Sequence, residues 1–305
     1  MTTLTSGIEY ADLEFLGHPD IIATAVLHGP AGVALIDPGP STSLPSLRRS
    51  LERRGMAVSD VRQVLLTHIH LDHAGAAGSL VKENPAIEVY VHERGAPHLA
   101  DPGKLIASAG RLYGQDMDRL WGEFLPVPAD HLKTLSGGER ITAGGRAIDV
   151  AYTPGHAWHH VSYFEEASGI AFVGDTAGIR RGRGLYVMPA APPPDIDLEA
   201  WRASEQRILQ WGPDTLFLTH FGPFHGARTH FQELMDRLAV WNRIVRRLLA
   251  AAPLPEEERQ ERFVAEVTRD LQRVVGEAEA EQYSRAGSLA YSWQGLARYW
   301  RKKGP

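Results

Sequence analysis

Four segments of the 305-residue chain share one pattern: an apolar run that reads as a strand ends, and a histidine or aspartate follows. The segments are VLLTHIH, AYTPGH, AFVGD and LFLTH. Strands fix the positions of the loops that follow them, so this pattern favours polar side chains gathered at one sheet edge. The first segment opens the densest cluster, THIHLDH, at residues 67–73.

The residue types in this cluster are those of a metal site. His68 and His70 are two positions apart, so on an extended segment both imidazoles point the same way. The chain contains no cysteine, so histidine and carboxylate ligands must hold any metal, and these suit zinc as well as iron or manganese. The remaining candidate ligands are Asp72, His73, His156, Asp175 and His220.

The motifs THIHLDHAG, TPGH, GD and THFGP, in this order, resemble those of the metallo-β-lactamase superfamily of hydrolases. The resemblance spans residues 10–228 and implies an α/β (α+β) fold: an αββα sandwich of two mixed β-sheets flanked by helices. It also implies two divalent metal ions, most often Zn²⁺, at one sheet edge. The implied ligands are His68, His70 and His156 for the first metal, Asp72, His73 and His220 for the second, and Asp175 as the bridge, with Asp37 of LIDPG supporting them.

The bridging aspartate makes the pattern more similar to glyoxalase II, lactonases and phosphodiesterases than to true β-lactamases. The implied reaction is attack of a metal-bridging hydroxide on a thioester, lactone or phosphoester, with Asp72 as a catalytic residue that passes a proton to the leaving group. Two alternatives stay open: a non-haem iron oxidoreductase of the persulfide dioxygenase type, and a ribonuclease Z-like phosphodiesterase. The net charge of -5 makes a nucleic-acid substrate the less favoured of these.

Further residues are candidates for contact with a substrate. His225, five positions after His220, is a candidate catalytic residue because of its predicted loop position. The segment GIRRGRG follows Asp175, and its arginines have forked donors that suit an anionic group. These are Arg180, Arg181 and Arg183.

The aromatic residues Tyr113 and Trp121 belong to a predicted helical insertion, and either a pocket wall or ordinary core packing would explain them. His159 and His160 follow His156 closely. We interpret them as loop or strand residues rather than as ligands.

We predict a domain at residues 1–228 with a helical insertion at about 95–130, followed by a C-terminal helical region at 229–305 containing three helices. Predicted strands are 21–29, 32–39, 61–68, 87–93, 146–156, 160–166, 169–175 and 214–220, and predicted helices are 43–55, 74–84, 104–124 and 197–211.

The sequence has no apolar run of about 18 residues, so no membrane span is expected. Its first residues lack the basic and apolar regions of a secretion signal, so a cytoplasmic location is expected. A small-molecule substrate is the expected partner. The oligomeric state stays open, with a homodimer as one possibility.

Overall fold

Two β-sheets pack face to face in the computed structural model, which describes residues 1–251 and 253–304. The first sheet has the strand order β1-β2-β3-β4-β5-β6-β7, with strands at Thr2–Thr5, Ile8–Asp12, Ala23–Gly29, Gly32–Ile36, Val61–Leu65, Glu88–His92 and Leu132–Leu135. The second has the order β13-β12-β11-β10-β9-β8. Its strands, from β8 to β13, are Arg140–Ala143, Arg146–Tyr152, Val161–Glu165, Ile170–Phe172, Thr215–Leu218 and Gly222–His225.

Both sheets are mixed. Strands β4 to β7 run parallel to one another, and β11 runs parallel to β12, whereas the other pairs are antiparallel. Parallel neighbours end at the same edge of a sheet, which is where ligand-binding crevices form in open sheets. The segments after β4, β5, β11 and β12 therefore carry their polar residues to common edges.

The central strands are apolar on both faces because each face meets a different core. In β4, Ala34 and Ile36 belong to the core between the sheets, whereas Val33 and Leu35 face the outer helices. Such double burial explains the unbroken apolar runs in the sequence. Helices on the side of the first sheet are α1 to α6, at Leu44–Glu52, Leu71–Ala74, Ala77–Glu83, Ala96–Ala100, Gly103–Tyr113 and Met117–Leu120.

The outer face of the second sheet packs against α7 (Leu198–Gln210) and the C-terminal helices. Asp197, directly before the helix, caps α7 by accepting a hydrogen bond from Ala200 N–H at 2.9 Å. Helices therefore flank both sheets, and the predicted αββα sandwich is confirmed.

In the described part of the chain, four helices, rather than the predicted three, follow β13. They are α8 to α11, at Ala227–Ala250, Glu256–Val275, Glu277–Ala286 and Leu289–Lys303. The third predicted segment is interrupted at Gly287, and the Ser288 hydroxyl then caps α11 by accepting from Tyr291 N–H at 3.3 Å. The predicted domain boundary at 228/229 falls inside the first turn of α8.

Candidate metal centre

The structure brings the seven predicted ligands together from four separate segments. They form two adjacent groups, and within each group one ligand atom per residue lies within 4.8 Å of the others. The first group is His68, His70, His156 and Asp175, and the second is Asp72, His73 and His220.

Three imidazole nitrogens converge in the first group. His70 Nδ1 lies 3.0 Å from His68 Nε2 and 2.9 Å from His156 Nε2. Neutral imidazoles face one another with lone pairs at this spacing only around a shared proton or a cation. The arrangement therefore matches the histidine set of a transition-metal site.

The carboxylate of Asp175 lies between the two groups. Its Oδ2 is 3.5 Å from His156 Nε2, while its Oδ1 is 3.3 Å from His73 Nε2 and 3.5 Å from His220 Nε2. Asp72 completes the second group, with Oδ2 at 3.3 Å from His220 Nε2 and 3.8 Å from His73 Nε2. Each oxygen of Asp175 thus faces a different group.

Hydrogen bonds on the far side of three histidine rings leave Nε2 free for coordination. The Nδ1–H of His156 donates to the Ala190 carbonyl, and that of His220 donates to the Ile21 carbonyl, both at 2.7 Å. The Nδ1–H of His73 donates to Asp37 at 2.8 Å. Such partners fix the tautomer and ring orientation of metal-binding histidines.

Asp37, which follows β4, connects segments from both sheets. Its Oδ1 accepts from Thr67 N–H at 2.8 Å. Its Oδ2 accepts from the hydroxyls of Thr67 at 2.7 Å and Thr219 at 2.8 Å, in addition to His73. The buried carboxylate therefore anchors the segments that carry His68, His73 and His220, as expected for the supporting role that the resemblance implies.

The electrostatics of the two groups differ. Burial, reinforced by neighbouring histidines, lowers the pKa of His68 well below its usual value, and burial lowers the pKa of His70 to about 3. Burial opposes the charged form of His73 as well, but the carboxylates of Asp175 and Asp72 outweigh it and raise the pKa of His73 well above its usual value. The first group thus offers neutral imidazoles, and the second attracts positive charge.

These features fit a bound metal. His73 Nε2 and Asp175 Oδ1 are fully buried and have no hydrogen-bond partner among the described residues. Buried polar atoms are rarely left unpaired, so both await a partner that the protein does not supply. Histidine nitrogens and carboxylate oxygens in this number are the donors of divalent metal sites.

The Asp175 segment can approach the first sheet only because residue 174 is a glycine. Gly174 has φ +45°, and a Cβ there would lie 2.5 Å from Thr67 Oγ1 and 2.7 Å from His160 Nε2. The adjacent Thr176 carbonyl accepts from Trp201 Nε1–H at 2.7 Å, which ties this segment to α7.

A cavity of about 820 Å³ opens over the side chains of the two ligand groups. His70, Asp72 and Asp175 lie at its base, and its walls come from the helical insertion, the proline-rich segment before α7 and the start of α11. Tyr113 and Trp121 both line it, although Trp121 also stacks on Phe15 at 5.6 Å in the core. Trp121 is therefore part of the cavity wall and of the core, and a substrate contact of Tyr113 or Trp121 stays a prediction.

The three predicted anion-binding arginines do not line this cavity. Arg180 pairs with Glu233 at 3.0 Å and lies over the ring of Phe224, and Arg181 pairs with Glu279 at 3.1 Å. Arg183 is exposed. The structure does not support a substrate-binding role for any of the three.

His225 is also remote from the ligands. It lies in β13, which returns along β12, so His225 pairs with Thr215 at the end of β12 opposite to His220. Its ring contacts the Thr215 hydroxyl at 3.0 Å. The catalytic role predicted from its loop position therefore lacks support, because the residue lies in an edge strand that the sequence did not reveal.

Other residues line the cavity that sequence reasoning did not single out as site residues. Lys104, Arg119 and Arg285 contribute cationic groups, and Lys104 has no ion pair among the described residues. No local motif marks them, because they come from α5, α6 and α10. His159, interpreted as a loop residue, also faces this space.

Comparison with known proteins agrees with this geometry. The family model of the metallo-beta-lactamase superfamily matches residues 19–220. The metallo-beta-lactamase fold-containing protein ST1585 of Sulfurisphaera tokodaii is 28% identical over 208 residues, which are 67% of this chain and 74% of that protein. A hydroxyacylglutathione hydrolase of Aeromonas hydrophila is 29% identical over 214 residues, covering 69% of this chain and 65% of that protein.

Solved structures show the same fold. TTHA1429 of Thermus thermophilus, a metallo-beta-lactamase family protein, superposes with a TM-score of 0.74 at 21% identity, covering 99% of this chain and 95% of that one. ST1585 superposes with a TM-score of 0.67 at 23% identity, covering 95% and 98%.

The chain belongs to the metallo-beta-lactamase superfamily. Family and ligand set together define it as a metal-dependent hydrolase that binds divalent metal through its His/Asp cluster. Among the described residues, no helix is long and apolar enough to span a membrane.

Proposed function

We propose that this protein is a dinuclear metal hydrolase that cleaves an ester-like bond, a thioester, lactone or phosphoester, in a small molecule. The observation that carries the proposal is the position of Asp175, whose two carboxylate oxygens face different ligand groups. A carboxylate shared in this way is suited to bridging two cations. We also propose zinc as the metal and the cytoplasm as the location.

Bound divalent ions would supply Lewis acidity and a water activated at neutral pH. The chain would hold the first ion through His68, His70 and His156, and the second through Asp72, His73 and His220, with Asp175 shared between them.

Asp72 is the residue best placed to move a proton. Burial raises the pKa of its carboxyl, but His73 and His220 outweigh that effect and hold the pKa at about 2. Asp72 is therefore a carboxylate at neutral pH, and its side chain reaches the cavity. It can accept a proton at one oxygen and deliver that proton to a leaving group.

The cavity favours a substrate with an apolar body and an anionic group. Its walls include Leu105, Leu112 and Ile179, and the cationic side chains come from surrounding helices. A cavity of about 820 Å³ is in the range that encloses a small molecule rather than a polymer. The similarity to a hydroxyacylglutathione hydrolase supports an acidic thioester as the first substrate to test.

The test is a panel of S-acylglutathione thioesters, γ-lactones and aryl phosphodiesters, assayed on protein loaded with zinc, iron or manganese. We expect hydrolysis of at least one substrate class. This activity should disappear when a chelator removes the metal, and Asp175→Asn should lose most of it. Asp149→Asn, which alters a carboxylate that pairs with Arg140 away from the ligands, is the matched control.

Absence of bound metal, or activity unaffected by chelation, would contradict the proposal. Oxygen uptake with a persulfide substrate by an iron-loaded protein would instead favour the dioxygenase alternative. Cleavage restricted to RNA would favour the ribonuclease alternative.

A further inference from the structure

The ring of His159 lies against the first ligand group without belonging to it. It is parallel to the His68 ring, with centroids 6.1 Å apart, and lies edge-on to His70 at 5.5 Å. The residue is only 9% exposed, and the surface it retains lines the cavity.

One hydrogen bond fixes which nitrogen of His159 can carry a proton. The backbone N–H of Ile69 donates to His159 Nδ1 at 3.4 Å. A nitrogen that accepts from an N–H has no hydrogen of its own, so a neutral ring must carry its proton on Nε2. Ile69 lies between two ligands, His68 and His70, so the donor is fixed as firmly as the ligands themselves.

The Nε2–H of His159 has no hydrogen-bond partner among the described residues. Unlike the unpaired atoms His73 Nε2 and Asp175 Oδ1, however, it is not fully buried. It therefore retains access to the cavity. His230 provides a contrast within the same chain: this buried histidine has both ring nitrogens in contact with protein, at Arg180 and at the Ala177 carbonyl. His230 thus uses both nitrogens within the protein, whereas His159 keeps one for the cavity.

We propose that His159 donates a hydrogen bond from Nε2 to the substrate oxygen on which negative charge develops during hydrolysis. The proposal rests on the hydrolase function proposed above. The proton stays on His159, so the contact adds no step to the reaction. Fixed donors of this kind stabilise a transition state because they require no reorientation as the charge appears.

The hydrogen bond from Ile69 also determines the charge of the ring. A Nδ1 that accepts from an N–H is unprotonated, so the ring is neutral and has a single N–H to offer, at Nε2.

Three substitutions distinguish the contribution of Nε2 to catalysis from that of Nδ1. Gln at position 159 places an amide N–H close to the Nε2 position, Asn reaches only the Nδ1 position, and Phe keeps the ring shape without any donor. For the best substrate of the panel, we expect kcat to fall roughly 10²-fold in His159→Phe and His159→Asn, with little change in KM, and to recover most of that loss in His159→Gln.

Two readouts beyond turnover accompany these assays. Metal content should match the wild type in all three variants, and His159→Phe and His159→Gln should unfold at a slightly lower temperature because the Ile69 N–H loses its acceptor. A phosphonate analogue of the best substrate should bind His159→Phe more weakly than the wild type by calorimetry, because its charged oxygen loses the donor.

Wild-type kcat in His159→Phe would overturn the inference and leave the hydrolase function intact. Loss of metal from His159→Phe would also overturn it, because His159 would then be a ligand or a support. A wild-type protein that binds no metal and hydrolyses none of the substrates would contradict the proposed function, and this inference with it.

Discussion

The backbone at Asp37 shows how the protein holds the segments of the centre in place. Asp37 adopts φ +51°, a left-handed conformation that is uncommon outside glycine, and its carboxylate accepts four hydrogen bonds. Residues keep such strained conformations only where their surroundings determine them, and they concentrate at functional sites. The strain at Asp37 is therefore balanced by its contacts with both sheets.

Replacing Asp37 with asparagine should weaken metal binding. The amide NH₂ would face donors on one side, and His73 would lose the acceptor that fixes its Nε2 toward the second group. Loss of such a support typically costs about 10- to 100-fold in metal affinity. Competition with a chromophoric chelator measures the change, with Asp149→Asn as the control, and unchanged affinity in Asp37→Asn would contradict the supporting role.

Lys104 should contribute to recognition of an anionic substrate. Lys104 lines the cavity and has no ion pair among the described residues. Removal of its charge in Lys104→Met should lower kcat/KM for a carboxylated ester by roughly 3- to 10-fold, the effect of one solvent-accessible ion pair, and leave an uncharged ester unaffected. Arg183→Met, which removes an exposed charge outside the cavity, should change neither. Equal losses with both esters would argue against charge recognition.

At the scale of elements, the helical insertion and the last helix enclose the cavity together. The Tyr291 hydroxyl of α11 donates to the Leu112 carbonyl of α5 at 2.7 Å, and the rings of Tyr291 and Tyr113 meet edge to face at 5.4 Å. Residues distant in sequence thus form one wall, which neither segment alone would indicate.

Tyr291→Phe should loosen this contact. Loss of the hydrogen bond, with the Leu112 carbonyl left unpaired, should cost about 1 kcal/mol in the free energy of unfolding and raise KM more than it lowers kcat. Urea unfolding and steady-state kinetics measure the two effects. Tyr10→Phe, whose hydroxyl has no hydrogen bond among the described residues, is the control. Equal stability of the two variants would show that α5 and α11 are joined by other contacts.

The sequence predicted the central strands because each combines a doubly buried apolar run with a polar residue at its end. Strands such as β8 (Arg140–Ala143) and β13 (Gly222–His225) escaped prediction because edge positions leave them half exposed and without such a run. The ligands were predictable because histidine and aspartate cluster in short motifs. The ion pairs of Arg180 with Glu233 and of Arg181 with Glu279 were not predictable. Their partners lie about 50 to 100 positions away, and local sequence patterns carry no information over that distance.

At the scale of the whole molecule, the C-terminal helices share a core with the second sheet. Leu216 of β12 and Trp201 of α7 belong to the same apolar cluster as Trp241 and Trp293. Phe263 of α9 contacts both of the latter, with ring centroids 5.6 Å and 5.7 Å apart. The division into units at 228/229 stays a prediction, and the shared core argues that the units unfold together.

Calorimetry should accordingly show one unfolding transition for the protein. Trp293→Ala, which empties a fully buried site in α11, should destabilise by about 3–5 kcal/mol and move the whole transition to lower temperature. Trp158→Ala, at a side chain that is 38% exposed, should have little effect. A separate early transition in Trp293→Ala, with the remainder unshifted, would show that the C-terminal helices are an independent unit.

The measurement that tests the central claim most directly is the metal stoichiometry of the purified protein, by elemental analysis after loading and removal of free ion. Two divalent ions per chain are predicted for the wild type, with a lower stoichiometry in Asp175→Asn, because the shared carboxylate holds both. A single ion in the wild type, unchanged by Asp175→Asn, would contradict the dinuclear account.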